Sequence, residues 1–474
     1  MNRRDFLNMA PLAAGSLVAS GLDSDFQAGS PAYAQAPFAD QKSKLKITGV
    51  RLVETRPRRP VPAYKPAPGS WSTNNVEVAN PMSIYPEYKA TRSLFLPDAG
   101  KVPSVTVEVS TDKGIKGYGS GGPGAGYVIE QHLTKLLVNE DPLNIERLWD
   151  IMWRSTMSYG RMGVVINAIS AVDLALWDIA GKALNMPVYK LLGGACHLRL
   201  KAYANGWYTV DRTPEQFAAA AARVVQLGYR ALKLDPFGAG QYELDHRERM
   251  TSIGLLEAVR HAVGDDVEIM VEGHGRFSPM EAVRLAHELN RFFPAWFEEP
   301  IPPDNIAGLG EVKRSVSIPI AAGERWYTRF GFREAFERRA VDIIQPDVIH
   351  AGGLAETKKI AASAEMYHML VAPHNSQGPV ATAASVHLGF TLSNLKVQEC
   401  FDDMAEPFIL DAVPGAPRVR DGYFHLPEGA GLGIELNEQV IREHPYRFGH
   451  FDLWEENWHR RKSKRWSRSS AGGD

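Results

Sequence analysis

Three glutamates end apolar, strand-like runs of this chain at a regular interval. They are Glu272 in VEIMVE, Glu298 in AWFE and Glu324 in IPIAAGE, and each step is 26 residues long. That interval fits one strand, one helix and their connections, so consecutive parallel strands would carry all three carboxylates to one end of a sheet or barrel. Clustered carboxylates need a hard cation, and oxygen ligation of this kind favours Mg²⁺. The sequence therefore predicts a Mg²⁺ site.

Strand-like runs recur at a similar spacing on both sides of these glutamates. Asp347 ends DIIQPD, His374 ends MLVAPH and Glu399 ends KVQE, while KAYANG and ALKLD come earlier, so eight strands fit between about 201 and 399. Helix-like stretches lie between them, for example at 214–226, 252–263, 279–290 and 355–366. This alternation predicts an α/β fold with a parallel barrel, in which residues at the strand C-termini carry the chemistry.

A separate α+β region precedes the barrel. The alternating run 45–56 predicts a strand, 104–119 a hairpin that turns at 112–114, and 164–182 a helix with a core-facing apolar stripe. The loops 61–75 and 120–127 are rich in glycine and proline, which is typical of mobile lids. We therefore expect an N-terminal α+β domain at 45–195 and a catalytic barrel at 198–420.

Composition limits the possible partners. The chain has 474 residues, 44% of them hydrophobic, which is enough for a barrel of about 250 residues and a second domain. Its net charge of −2 gives no indication of a nucleic-acid or membrane-surface partner. The basic tail 455–474 is typical of a solvated chain end. Cys196 and Cys400 are the only cysteines, so no disulfide framework exists, although one bridge stays possible.

The N-terminus has the features of an export signal. Arg3 and Arg4 resemble a twin-arginine motif, an apolar run follows, and small residues at 32–36 offer cleavage sites, so 1–36 is predicted to be a signal peptide. This predicts a periplasmic enzyme. The alternative is an ordinary basic N-terminus of a cytoplasmic protein. No other segment has about 18 uninterrupted apolar residues, so we expect no membrane span.

The strand-end motifs together resemble the mandelate racemase and muconate lactonizing enzyme branch of the enolase superfamily, over about residues 45–445. Segments 79–88, 159–161 and 173–178 resemble L-rhamnonate dehydratases, and 374–387 resembles gluconate and galactonate dehydratases. The resemblance implies a modified TIM barrel, (β/α)7β, with an N-terminal α+β capping domain that is completed by about 421–445. It also implies a Mg²⁺-dependent enzyme that acts on a small sugar acid, and we expect a homo-oligomer. The motifs are 233–235, Glu272 with His274, 297–300, 323–324, 346–348, 373–375 and Glu399.

The resemblance assigns roles to residues at the barrel end. His374 is the predicted base, because histidine titrates near neutrality and the adjacent Asp347 would orient its ring and stabilise its charged form. His274 resembles the general acid that protonates a departing hydroxyl. Lys233 and a protonated Glu399 are expected to bind the substrate carboxylate.

Several positions depart from the family patterns or are less specific. Asp235 stands where racemases carry the second lysine of Lys-x-Lys, so a two-base racemisation is disfavoured. Arg325 replaces a histidine of rhamnonate dehydratases, and Glu272 replaces the usual aspartate. Asp235, Arg325 and Arg92, which resembles a capping-domain arginine, are predicted substrate contacts.

The predicted reaction is dehydration of an aldonate to a 2-keto-3-deoxy acid through an enediolate. An alternative with the same fold is a cycloisomerase or epimerase acting on a sugar acid or lactone. A third possibility is an exported sugar-acid binding protein without catalysis. The set of a base, an acid and three metal ligands argues against simple binding.

Overall fold

The computed structural model describes residues 45–53, 106–122, 124–238, 240–405 and 407–443. Its first sheet is antiparallel, with strands in the order β1 (Ile47–Leu52), β2 (Thr106–Thr111) and β3 (Lys116–Ser120). The hairpin between β2 and β3 includes Gly114 at φ +76°, a conformation that glycine adopts without strain. The predicted strand and hairpin are therefore confirmed. The proposed signal peptide, the loop 61–75, Arg92 and the basic tail lie outside the described residues.

Helices follow this sheet in the chain, and the longest of them packs against β2 and β3. They are α1 (Ala125–Val128), a π-helical turn (Ile129–Leu133), α2 (Thr134–Leu137), α3 (Ile145–Ser155), α4 (Val164–Ala183) and α5 (Val188–Leu191). A Cβ at Gly119 on β3 would collide with the backbone oxygen of Ala171 on α4, so glycine is needed for this close approach. Within the described ranges, α4 is the one helix long and apolar enough to cross a membrane, but 89% of its apolar window is buried, as in a core helix.

The segment 120–127 differs from the lid expected there. Gly121, Gly122, Ala125 and Gly126 are buried, and among the residues of this segment that the structure describes only Tyr127 is largely exposed. The backbone of this segment packs against α4, and a Cβ at Gly121 would lie 2.7 Å from the backbone oxygen of Asn167. Its glycines thus serve close packing.

Eight parallel strands form the barrel, each of the first seven followed by a helix. The strands are β4 (Arg199–Ala204), β5 (Ala231–Leu234), β6 (Glu268–Glu272), β7 (Trp296–Glu298), β8 (Ile320–Ala322), β9 (Ile343–Ile344), β10 (Leu370–Val371) and β11 (Gln398–Cys400). The hydrogen-bonded order starts at β10, descends through β9 to β4 and continues to β11. A parallel bridge between Val371 and Leu395 joins β10 to the segment before β11 and closes the barrel. The predicted (β/α)7β fold is confirmed.

The barrel helices begin at recognisable caps. The side chains of Thr213, Ser278 and Asp245 accept hydrogen bonds from the first turns of their helices, as N-cap residues do. Asp245 starts its helix at His246, six residues before the predicted start. The helices are α6 (Pro214–Gln226), α7 (His246–Val263), α8 (Pro279–Leu289), α9 (Ile306–Ser315), α10 (Thr328–Arg338), α11 (Leu354–Glu365) and α12 (Pro379–Phe390).

One cluster of buried side chains inside the barrel takes a residue from each strand or its flank: Tyr203, Ala231, Met270, Trp296, Ala321, Ile343, Ala372 and Val397. Beyond the barrel come α13 (Phe408–Asp411), β12 (Tyr423–His425) and α14 (Glu438–Glu443). β12 pairs antiparallel with β4, and the backbone N–H of Leu432 donates to Asp178 of α4 at 2.8 Å. The segment after the barrel thus contacts both the barrel and the N-terminal helices. Cys196 and Cys400 are not bonded to each other.

Candidate active site

The three predicted metal ligands meet at the C-terminal end of the barrel. Glu272 and Glu298 end β6 and β7 and are directly paired in the parallel register. Glu324 follows Gly323, which has φ +143° and whose missing Cβ would lie 2.9 Å from the backbone nitrogen of Gln345. Glycine therefore turns the chain where a side chain has no room. The structure brings the three carboxylates together, as the spacing of the strand ends predicts.

Their geometry fits a shared cation. Ligand oxygens of Glu272, Glu298 and Glu324 lie within 4.8 Å of one another, and all three residues are buried. Oxygens on opposite sides of one octahedral Mg²⁺ lie about 4.2 Å apart, so a small side-chain movement is enough to share an ion. Oε2 of Glu272 is buried without a hydrogen-bond partner. That is a costly state, which a bound cation would relieve.

Lys233 is the buried cation of this cluster. Its Nζ donates to Oε1 of Glu298 at 2.6 Å and lies 3.5 Å from Glu272 and 3.3 Å from Glu399. Burial opposes the charge on Lys233, but the carboxylates outweigh it and raise the pKa of Lys233 well above its usual value. Burial raises the pKa of Glu324 to about 7 and that of Glu272 well above its usual range. Burial thus disfavours the charged forms of Glu272 and Glu324, and a divalent cation would supply the positive charge that both need to stay deprotonated beside Glu298.

His374 and Asp347 form a buried pair beside the cluster. Nδ1 of His374 lies 2.7 Å from Oδ2 of Asp347, and Oδ1 of Asp347 accepts from the backbone N–H of Ile349 at 2.7 Å. Nε2 of His374 is 3.2 Å from Oε2 of Glu324. Burial lowers the pKa of His374, but Glu324, Glu399 and Asp347 together raise it to about 9. Asp347 holds Nδ1, so Nε2 is the nitrogen that faces the carboxylate cluster.

A second histidine and aspartate pair contacts the cluster from another strand. Nδ1 of His274 lies 2.6 Å from Oδ2 of Asp235, and the backbone N–H of His274 donates to Oε1 of Glu272 at 2.6 Å. His274 has φ +50°, so a left-handed turn after β6 places it here. Burial lowers the pKa of His274 to about 4.

Asp235, predicted to contact the substrate, is bonded to other residues of the protein. Its Oδ1 accepts from Nη2 of Arg276 at 2.5 Å and from the backbone N–H of Phe237 at 2.9 Å, while Oδ2 contacts His274. The carboxylate is buried, and both of its oxygens are engaged inside the protein. In this structure Asp235 positions His274 and does not present itself as a substrate contact.

Glu399 is surrounded by hydrogen-bond donors. Oε1 accepts from Nδ2 of Asn205 at 2.8 Å, Oε2 accepts from the backbone N–H of Asn375 at 2.6 Å, and Lys233 is close. None of these three groups can accept a hydrogen from Glu399. In the structure these groups donate to Glu399, and its expected bond to a substrate carboxylate stays a prediction.

Arg325 lies at the edge of the site. It pairs with Glu299 and with Oε1 of Glu324, the latter at 2.8 Å, and its side chain is 37% exposed. Part of this side chain therefore reaches solvent, and its contact with a substrate stays a prediction.

Four polar residues of the site were not recognised from the sequence. Each either follows a strand end by two or more residues or comes from the end of β4, so the strand period alone gives no signal for it. They are Asn205, Arg276, His350 and Asn375, and His350 contacts the backbone oxygen of Glu324 at 2.7 Å.

Comparison with known proteins gives the family. Residues 216–440 match the enolase C-terminal domain-like family, and residues 93–193 match the mandelate racemase / muconate lactonizing enzyme N-terminal domain. This chain belongs to the mandelate racemase and muconate lactonizing enzyme family. The resemblance stated from the motifs is thereby confirmed.

Similar proteins indicate the class of reaction. The D-gluconate/D-galactonate dehydratase of Picrophilus torridus is 34% identical over 66% of this chain and 80% of its own length. The L-rhamnonate dehydratase of Saccharopolyspora erythraea is 35% identical over 78% of this chain and 92% of its own. A solved mandelate racemase/muconate lactonizing enzyme-like protein from Rubrobacter xylanophilus is 38% identical, with a TM-score of 0.68 over 73% of this chain and 94% of that one. These findings support the predicted lyase class.

Proposed function

We propose that this member of the family is a Mg²⁺-dependent sugar-acid dehydratase, which converts an aldonate to a 2-keto-3-deoxy acid. The observation that carries the proposal is the presence of two histidine–aspartate pairs at one barrel end, each touching a different carboxylate of the candidate metal cluster. Removing the C2 proton and the 3-hydroxyl needs one base and one acid, and two separately held histidines meet that need. The named relatives, which are dehydratases of sugar acids, support the same reaction.

Glu272, Glu298 and Glu324 are the residues that would hold the ion. Mg²⁺ bound there would stabilise the negative charge that develops on the substrate carboxylate when the C2 proton leaves. Lys233 contributes a second positive charge on the same side. Its Nζ is held among Glu298, Glu272 and Glu399, so it is positioned before substrate arrives.

His374 takes the C2 proton on Nε2. Asp347 holds the hydrogen on Nδ1, so the ring has one defined orientation and its charged form is stabilised as it appears. The base must begin neutral, and this requires that the charge of Glu324 beside Nε2 be compensated.

His274 gives a proton to the departing 3-hydroxyl. Asp235 orients the ring, while burial and the neighbouring arginines disfavour its charged form. The acid must begin protonated on Nε2, and this requires that the bound substrate offset the burial and the charges of the neighbouring arginines. The 3-hydroxyl leaves as water with the proton from His274, while His374 keeps the C2 proton. The enol then gains a proton at C3 and loses the proton of its 2-hydroxyl to become the ketone, so the net loss is one water.

A panel of aldonates tests the proposal. The purified chain is incubated with each acid, with Mg²⁺ and after exhaustive chelation, and the 2-keto acid and any isomer are measured. We expect 2-keto acid only with Mg²⁺, and none from His374→Asn. An isomer without keto acid would favour the cycloisomerase or epimerase alternative, and thermal stabilisation without conversion would favour a binding protein.

Export is a further part of the proposal. The pair Arg3 and Arg4 before an apolar run supports passage through the twin-arginine route. That route carries folded proteins, which suits an enzyme that takes up its metal before export. The expected homo-oligomer likewise stays a prediction.

A further inference from the structure

The polar groups around the candidate site differ in their access to solvent. The metal ligands, Lys233 and the aspartates are buried, whereas a group beside His374 is only half-buried: Tyr327, His350, Ser376 and Gln377. The ring of His350 lies nearly parallel to that of His374, with 6.4 Å between their centres, and packs against Tyr327 at 5.7 Å. These residues form an accessible wall next to the proposed base, and the mechanism above gives most of them no role.

His350 presents one free acceptor on this wall. Its Nδ1 lies 2.7 Å from the backbone oxygen of Glu324, which can only accept, so Nδ1 carries the hydrogen and Nε2 is an acceptor. The nearest polar group to that Nε2 is Nε2 of Gln377, at 3.5 Å. This distance is at the outer limit of a hydrogen bond, so the two groups satisfy each other only weakly.

The pair matches the hydrogen-bonding pattern of an alcohol. A hydroxyl donates one hydrogen bond and accepts others, so it can donate to Nε2 of His350 while it accepts from the amide of Gln377. A sugar acid with C2 at His374 has such hydroxyls farther along its chain. We propose that His350 and Gln377 bind a hydroxyl of the substrate beyond C4 and so help to determine which sugar acids are accepted. This inference rests on the proposed function, because it takes C2 to lie at His374.

The test compares substrate lengths. Gln377→Leu removes the amide at nearly constant size, and His350→Phe removes the acceptor but keeps the ring stacking. For each variant, kcat/KM is measured with a six-carbon aldonate and with a four-carbon aldonate of the same C2 and C3 configuration. We expect the ratio of kcat/KM for the six-carbon acid to kcat/KM for the four-carbon acid to fall about 2- to 10-fold in Gln377→Leu. The ratio should fall further when His350→Phe and Gln377→Leu are combined.

Ser376→Ala is the matched control in the same loop. Oγ of Ser376 lies 3.4 Å from Nε2 of His374, so its loss should affect both acids alike and leave the ratio unchanged. An equal loss with both acids in Gln377→Leu, or a wild-type enzyme that does not prefer the longer acid, would overturn the inference. If the four-carbon acid turns over too slowly, its inhibition constant is compared instead. Failure of the wild-type enzyme to dehydrate any aldonate would reject the proposed function itself, and is thus a distinct result.

Discussion

Replacement of Asp347 by Asn tests the pair that we consider central to proton removal. Asp347 is 1% exposed and lies 2.7 Å from Nδ1 of His374, so Asn fills the same space without the charge. A hydrogen bond to a charged group contributes about 1.5 to 3 kcal/mol, or roughly 10- to 100-fold in the stability of the imidazolium. The amide also fails to fix which ring nitrogen carries the hydrogen. We therefore expect kcat to fall about 10²- to 10⁴-fold, with KM nearly unchanged.

The assay measures 2-keto acid formation together with exchange of the substrate C2 hydrogen. Asp347→Asn should reduce both rates in parallel, because proton removal itself is impaired. Asp235→Asn is the matched control in the other pair, and it should reduce product formation but leave C2 exchange largely intact. Melting curves of both variants verify that the fold is retained. Wild-type kcat in a folded Asp347→Asn protein would refute the assignment of this pair.

Three further predictions concern the metal, the export signal and stability. Glu298→Gln should weaken Mg²⁺ binding in calorimetry and abolish turnover at ordinary Mg²⁺ concentrations, and full activity of the wild type after chelation would end the metal hypothesis. Changing Arg3 and Arg4 to Lys should keep the enzyme in the cytoplasm; the signal is not functional if the unchanged protein is found there too. Burial lowers the pKa of His387, whose Nδ1 accepts from the N–H of Tyr189, to about 4. Because the unfolded chain binds this proton more readily than the folded one, the free energy of unfolding is fully retained above about pH 6.5. It falls by up to about 3 kcal/mol as the pH falls towards 4. His387→Asn should flatten this dependence of the unfolding free energy, and an equal slope in both proteins would contradict it.

The sequence predicted those parts of the site that depend on strand period. In a parallel barrel every strand ends at the same face, so residues such as Glu298 and His374 could be placed from their spacing alone. The partner of His374 was found in the same way, because Asp347 ends the preceding strand.

Other contacts depend on chain turns and barrel closure, which spacing does not describe. His274 lies beyond its strand and is placed by a left-handed turn, and its partner Asp235 comes from the neighbouring strand β5. The donors to Glu399 include Asn205, which is near only because the last strand pairs with the first. The start of α7 could have been found, since Asp245 is a typical N-cap residue.

Exchange of the C2 hydrogen in deuterium oxide tests the central claim most directly. An aldonate that the wild type dehydrates is incubated with wild type, His374→Asn and His274→Asn, and deuterium is located in the product and the recovered substrate. The account predicts deuterium at C3 of the wild-type product, neither exchange nor product with His374→Asn, and C2 exchange without appreciable product with His274→Asn. Wild-type product formation by His374→Asn, or C2 exchange lost only in His274→Asn, would contradict it.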